Sequence, residues 1–170
     1  MNTGQMLISM AAMILLGTVI LNVNRNALTT NVKMSETKFE IVAVSLGTAI
    51  IEEAFSKAFD EETADNKLAE DLTDLSVNLG KDGGESTRAE FDDFDDYNNY
   101  EGNTNNDTTY SSANMYFRCK VNYVDPDVSL DSVANRTWHK KITVYIRSPF
   151  IEDSTKEIVL SKINSHFYFR

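Results

Sequence analysis

No charged side chain occurs before Arg25, and the run from Met6 to Leu21 is almost wholly apolar. The helix-compatible spacing that begins there does not stop where the apolar run stops. From Asn22 the residues turn polar, yet the pattern continues to about Phe59, and the first proline is Pro126. A helix over residues 5–59 would be about 80 Å long at ~1.5 Å rise per residue. Such a helix, apolar over 6–23 and amphipathic over 24–59, cannot belong to a compact globule of 170 residues. It predicts a membrane-anchored stalk, or a subunit that buries its helix against copies of itself.

The apolar run, Met6 to Leu21, would cover roughly 24 Å as helix against a ~30 Å hydrocarbon core. A cleavable secretory signal is the competing reading. Against it, a basic n-region is missing, and Asn22-Val23-Asn24-Arg25 is not a small-x-small cleavage site. The first positive charges, Arg25, Lys33 and Lys38, follow the run; the charge rule by itself favours a cytoplasmic C-terminal side. In the second half of the helix, Val32, Phe39, Val42, Leu46, Ile50, Ala54 and Ala58 recur at helical spacing, widened by Ile41, Val44, Ile51 and Phe55. This broad apolar face predicts a sheet packed on it. Gly47, among Ala43, Ser45, Thr48 and Ala49, allows close approach of that sheet, and Gly17 marks a packing site or a local loosening.

Charge is unevenly distributed. Residues 60–112 hold 16 acidic and three basic side chains, whereas residues 113–170 hold nine basic and six acidic. The acidic middle argues against nucleic acid as a partner, and the basic segment is its natural counterpart, in the same subunit or the next. Leu68, Leu72, Leu75 and Leu79 followed by Gly80 predict a short second helix with a glycine cap. Residues 81–112 read as loop. Phe117, Cys119, Val121 and Tyr123 alternate with polar residues, as do Ile142, Val144 and Ile146, and a third strand begins near Glu157. Asp125-Pro126-Asp127 and Ser148-Pro149 read as turns. The expected fold is α+β, with a long N-terminal helix packed on a small antiparallel sheet over 113–170.

Asp92, Asp93, Asp95 and Asp96, with Asn98, Asn99 and Glu101, concentrate oxygen ligands in one short stretch. Calcium takes six to eight oxygens, so these aspartates are a candidate calcium site. The alternative is that the carboxylates bond backbone amides and pair with the basic sheet. Phe91, Phe94, Tyr97 and Tyr100 interleave with them and predict a docked loop, formed as a helical turn or as an aromatic clamp on the sheet. His139, His166 and Cys119 form no ligand cluster of recognised spacing, and Cys119 reads as a small buried hydrophobe. Gly83-Gly84 reads as a plain turn, and no catalytic signature is visible, so no enzymatic activity and no cofactor other than calcium is expected. Asn106-Asp107-Thr108 and Asn135-Arg136-Thr137 fit the N-glycosylation pattern, which implies surface position. Trp138 is expected in the core or against the long helix, and Phe167-Tyr168-Phe169-Arg170 as a docked end or a partner-binding tail.

A long N-terminal helix, an acidic loop and an antiparallel sheet together make a layout that resembles a type IV pilin-like subunit. Prepilins carry a short leader ending in glycine. Here Met1-Asn2-Thr3-Gly4 precedes Gln5, so the resemblance implies cleavage between Gly4 and Gln5. The leader lacks Lys and Arg, and the fifth mature position, glutamate in bacterial pilins, is Ser9. The stretch Asp92-Asp93-Phe94-Asp95-Asp96-Tyr97 is similar to a segment of accessory pilin-like proteins of mannose-sensitive haemagglutinin type. The resemblance implies a subunit held in the inner membrane before assembly, delivered by pilus assembly machinery, and then packed with copies of itself in an extracellular helical filament. The packing residues would be Met6, Leu7, Ile8, Met10, Met13, Ile14, Leu15, Leu16, Val19, Ile20 and Leu21. The alternatives are a minor pilin or pseudopilin, or a single-pass anchored binding protein.

Overall fold

A computed structural model describes residues 2–66, 69–105, 114–151 and 157–166. The elements are helix α1 (Thr3–Phe55) and strands β1 (Glu101–Asn103), β2 (Tyr116–Asp125), β3 (Ser129–Ser132), β4 (His139–Arg147) and β5 (Ile158–Ser165). The fold is α+β. The chain divides into two compact units, Met1–Lys38 and Phe39–Arg170. The first is helix throughout its described length apart from Asn2, and its side chains are almost all exposed.

In the second unit the sheet is antiparallel with order β1-β2-β4-β5, and β3 pairs off the end of β2. Residues of β2 face β4 in continuous register from Tyr116↔Arg147 to Tyr123↔Lys140. The alternation in β2 is realised: Phe117, Cys119, Val121 and Tyr123 are buried, while Arg118 and Lys120 face solvent. A strand presents successive side chains to opposite faces, so this pattern covers one face and wets the other.

The covered face meets the last turns of α1. Ala43, Leu46, Ile50, Ile51 and Ala54 join Phe117, Cys119, Val121, Ile142, Val144 and Ile146 in one core. Gly47 sets the separation. A Cβ there would lie 2.8 Å from Leu160 Cδ1 and 2.9 Å from Ile146 Cδ1, so the absent side chain is what lets the sheet approach this closely.

Three boundaries differ from the sequence expectation, the first being that of the sheet, which takes in β1, Glu101–Asn103, from the stretch 81–112 read as loop. Helix α1 begins at Thr3, not Gln5, so Thr3 and Gly4 are part of its first turn. It ends at Phe55, not Phe59. There Ser56 N–H donates to Glu53 O as well as to Glu52 O. The Ser56 hydroxyl also donates to Glu53 O. Ala58 then pairs its backbone with the acidic loop: Ala58 N–H donates to Asp92 O at 3.0 Å and Phe94 N–H to Ala58 O at 2.9 Å. Those bonds compete with a further helical turn.

The expected second α-helix is replaced by short 3-10 turns, Glu61–Asn66 and Leu72–Asp74. Leu72 is exposed, Leu75 is buried under Phe59 and Tyr123, and Leu68 lies outside the described residues. Gly80 has φ +147°, a value open to glycine but not that of a left-handed helix cap. The leucine spacing satisfied helix periodicity, but tertiary partners claimed the backbone. Ser76 N–H is taken by Asp60, and Leu79 O by the Asn98 side chain.

Candidate functional site

Two features stand out: the apolar face of the first unit and the acidic loop of the second. Met6, Leu7, Ile8, Met10, Met13, Ile14, Leu15, Leu16, Val19, Ile20 and Leu21 are each 49 to 75 % exposed. An 18-residue window of α1 near the N-terminus is long and apolar enough to cross a membrane, and none of it is buried. So large an exposed apolar surface marks a membrane or protein contact. Within this segment the Ser9 hydroxyl donates to Gln5 O at 2.9 Å, one helical turn back, which satisfies it inside the helix. Gly17 is the one half-buried position in the run, with open space where its Cβ would be.

The acidic loop is docked. A 3-10 turn, Asp95–Tyr97, is held by its own aspartates: Asp93 Oδ1 accepts Asp95 N–H (2.8 Å) and Asp96 N–H (3.0 Å). Asp96 Oδ2 accepts Asp92 N–H (3.0 Å) and Asp93 N–H (3.1 Å). The interleaved aromatics form an edge-to-face cluster. Phe91 meets Tyr97 and Tyr100, Phe94 meets Phe55 of α1, and Tyr100 meets Phe117 of β2. Such pairs add to plain burial. Tyr97 Oη donates to Glu53 Oε1 (2.9 Å), and Arg88 Nε donates to the same oxygen (2.8 Å). Burial opposes ionisation of Glu53, but the bonds from Arg88 and Tyr97 outweigh it and its pKa lies below the ordinary value.

At the centre lies Lys140 of β4, fully buried. Its Nζ donates to Phe59 O (2.9 Å), Asp60 Oδ2 (2.6 Å) and Asp95 Oδ1. The rings of Phe59 and Tyr123 close over it at 4.8 and 5.4 Å. Asp60 also accepts Ser76 N–H, Ser76 Oγ–H and Glu62 N–H, while the Tyr123 hydroxyl beside it donates to Ser76 O at 2.8 Å. Burial alone would raise the Asp60 pKa, yet Lys140 and these donors pull it below normal. Asp95 is pushed up to about 6 by burial, against the pull of Lys140. Burial and the neighbouring Asp95 lift Asp93 to about 8, and burial and the bond to Glu85 lift Asp96 similarly.

The four aspartates of the calcium expectation therefore do not converge. Asp93 and one oxygen of Asp96 are taken up by the turn amides and Asp95 by Lys140, the pairing with amides and sheet that the sequence offered as the alternative. Asp92 and Asp96 also lie near Glu85, with one oxygen of each residue within 4.8 Å of the others. Sequence reading missed Glu85, Asp60 and Lys140. Asp60 and Lys140 could have been flagged only by the break in alternation at Lys140, a charged residue in register with buried Ile142 and Val144.

The solvent face of the sheet carries an open cleft of about 460 Å³ lined by Glu101, Tyr116, Arg118, Tyr145, Arg147 and Glu157 among others. Arg118 stacks on Tyr145 at 3.9 Å, and Arg118 and Arg147 both pair with Glu157. Cys119 is buried, its thiol pushed up to about 12 by burial. His139 Nδ1 meets Ser165 Oγ at 2.7 Å. His166 instead stacks on Trp138, which is half-buried against the smaller Phe59 and Tyr123 cluster. Asn135 is exposed, while Asn106-Asp107-Thr108 and the C-terminal Phe167-Tyr168-Phe169-Arg170 lie outside the described residues. No protein-family model matches this chain, and no curated protein or solved structure matches it significantly.

Proposed function

We propose that this protein is a structural subunit of an extracellular filament of the type IV pilin-like kind, held in the membrane by its apolar helix before assembly. The observation that carries the reading is the unpartnered apolar surface from Met6 to Leu21 on a helix that continues, unbroken, into the sheet-packed residues Ala43 to Ala54. Lipid satisfies that surface in the precursor. In a filament the same residues pack on neighbouring helices, so the apolar area passes from lipid to a shared protein core. Van der Waals packing and small residues such as Gly17 then set the register. Because Ser9 stands where bacterial pilins carry glutamate, registration in this reading rests on shape rather than on a buried carboxylate and amine pair.

The testing experiment is the N-terminal peptide mass of the protein in filaments sheared from its native cells. A chain beginning at Gln5 in an abundant fibre supports processing after Gly4 and a major-subunit role. A chain retaining Met1 in that fibre supports assembly by a different export route. Retention in membranes without fibres overturns the filament reading in favour of an anchored protein whose sheet cleft, with its Arg118 and Tyr145 stack, serves as the binding surface.

A further inference from the structure

One buried ammonium faces more carboxylates than it can neutralise. Lys140 touches Asp60 and Asp95, with Asp93 and Asp96 also buried beside them. Burying unpaired charge is costly. Yet all of these groups are more than nine-tenths covered, inside a wall that includes Phe59 and Tyr123. The two carboxylates on Lys140 also differ in kind. Asp60 is fixed as an anion by three donors besides the lysine, from Ser76 and Glu62. Asp95 has its carboxyl oxygen on the lysine nitrogen, and its backbone is held from behind by Asp93.

We propose that Lys140 and Asp95 condense to form an intramolecular isopeptide bond, with Asp60 as the fixed anion that holds the attacking nitrogen through its N–H. Transfer of one ammonium proton to the Asp95 carboxylate leaves a neutral amine, a lysine state that a desolvated site favours, and puts that carboxyl in its acid form. The amine attacks Asp95 Cγ while that carboxyl is in its acid form. The Nζ–Cγ bond forms, the Cγ–hydroxyl bond breaks, and the hydroxyl leaves with a proton as water. One ammonium and one carboxylate become one amide and one water, with no oxidant or co-reactant. The raised acidity range of Asp95, against the lowered one of Asp60, matches this division of roles. The product amide replaces two buried charged groups with one neutral group. It also ties β4 to the Asp95–Tyr97 turn across a separation of 45 residues, which restricts the unfolded chain as other cross-links do.

The test is the intact mass of the purified full chain, shown folded by circular dichroism, followed by peptide mapping. The expected result is a deficit of one water relative to the sequence, mapped to a branched peptide joining Lys140 and Asp95. Lys140→Met should restore the full sequence mass. Asp95→Asn should show a deficit of one ammonia instead of one water, because the amide then leaves in place of the hydroxyl. Asp60→Asn should slow the appearance of the product by at least tenfold. A folded wild-type chain that keeps its full sequence mass after prolonged incubation overturns the proposal. So does a deficit mapped elsewhere, whether to Lys140 with Asp60 or to Asp82-Gly83.

Discussion

Asp60 joins three distant segments through one buried carboxylate. It satisfies the Ser76 and Glu62 amides, the Ser76 hydroxyl and the Lys140 ammonium. Removing one partner of a buried charge pair leaves the other uncompensated, at roughly 3–5 kcal/mol. Asp60→Ala should therefore lower unfolding stability by about 3 kcal/mol or more, read from urea denaturation. Glu157→Ala, which breaks two solvent-exposed arginine pairs, should change it by less than about 1 kcal/mol. Equal losses in the two variants would contradict this account of the core. A second expectation concerns pH. Asp93 and Asp96 have folded pKa values raised to about 8, against ~3.9 in an unfolded chain. The stability they carry is complete below the unfolded value and is lost as pH rises through about 8. Glu53 and Asp60 are lowered; their contribution is present above the unfolded carboxylate values and is lost as pH falls through the folded ones. The urea midpoint should thus be greatest in mild acid and fall on the approach to pH 8 and above. Asp96→Asn should flatten that fall, and a midpoint that climbs steadily with pH would count against the raised values. Of these residues, the sequence exposed the aspartates and the aromatics between them. The alternative to calcium, carboxylates on backbone amides and on the basic sheet, is the arrangement present, with Asp93 and Asp96 capping a turn and Asp95 meeting a lysine 45 positions on; the sequence could not choose between the two or name the lysine, because capping and ion pairing draw on the same composition as calcium binding.

At the scale of elements, Gly47 decides how α1 meets the sheet. Gly47→Leu should cost about 1–3 kcal/mol through overpacking against Ile146 and Leu160. Gly47→Ala should be much milder. Its Cβ meets the tips of two side chains rather than backbone, and alanine gains roughly 1 kcal/mol of helix propensity over glycine. Thermal melts of the two variants separate steric contact from propensity; matching losses would place the cause elsewhere. Period-two alternation in β2 and β4 was legible, as was the α1 face formed by Phe39, Val42, Leu46, Ile50, Ile51, Ala54 and Phe55, since one buried face imposes a regular pattern; Val32, Ile41 and Val44, assigned to that face, are exposed. The leucines from Leu68 to Leu79 were misleading for the converse reason. Their spacing suits a helix, but Leu72 is exposed and Leu75 is buried from a 3-10 turn. Long-range bonds from Asp60 and Asn98 outbid the local helical ones.

For the whole molecule, the apolar segment should control where the chain resides. Leu15→Arg places a charge within the candidate span at about 2.5–3.5 kcal/mol. It should shift the protein out of the membrane fraction while leaving the thermal transition of the second unit unchanged. A variant that stays in membranes to the same extent would show that another feature anchors the chain. If helices pack as proposed, Ser9→Glu should leave filament yield unchanged or raise it where a neighbouring amine is near, and abolished assembly in that variant would exclude a vacant acid position. The sequence by itself determined the long helix, the place where its character changes, the α+β class and the strand faces. All of these rest on local periodicity and composition, which act over a few residues at a time. Only the tertiary structure decided where α1 stops, which leucines are covered, and which aspartates meet Lys140. Those outcomes depend on contacts between distant segments, where buried polar groups must find partners, and no local pattern encodes that choice.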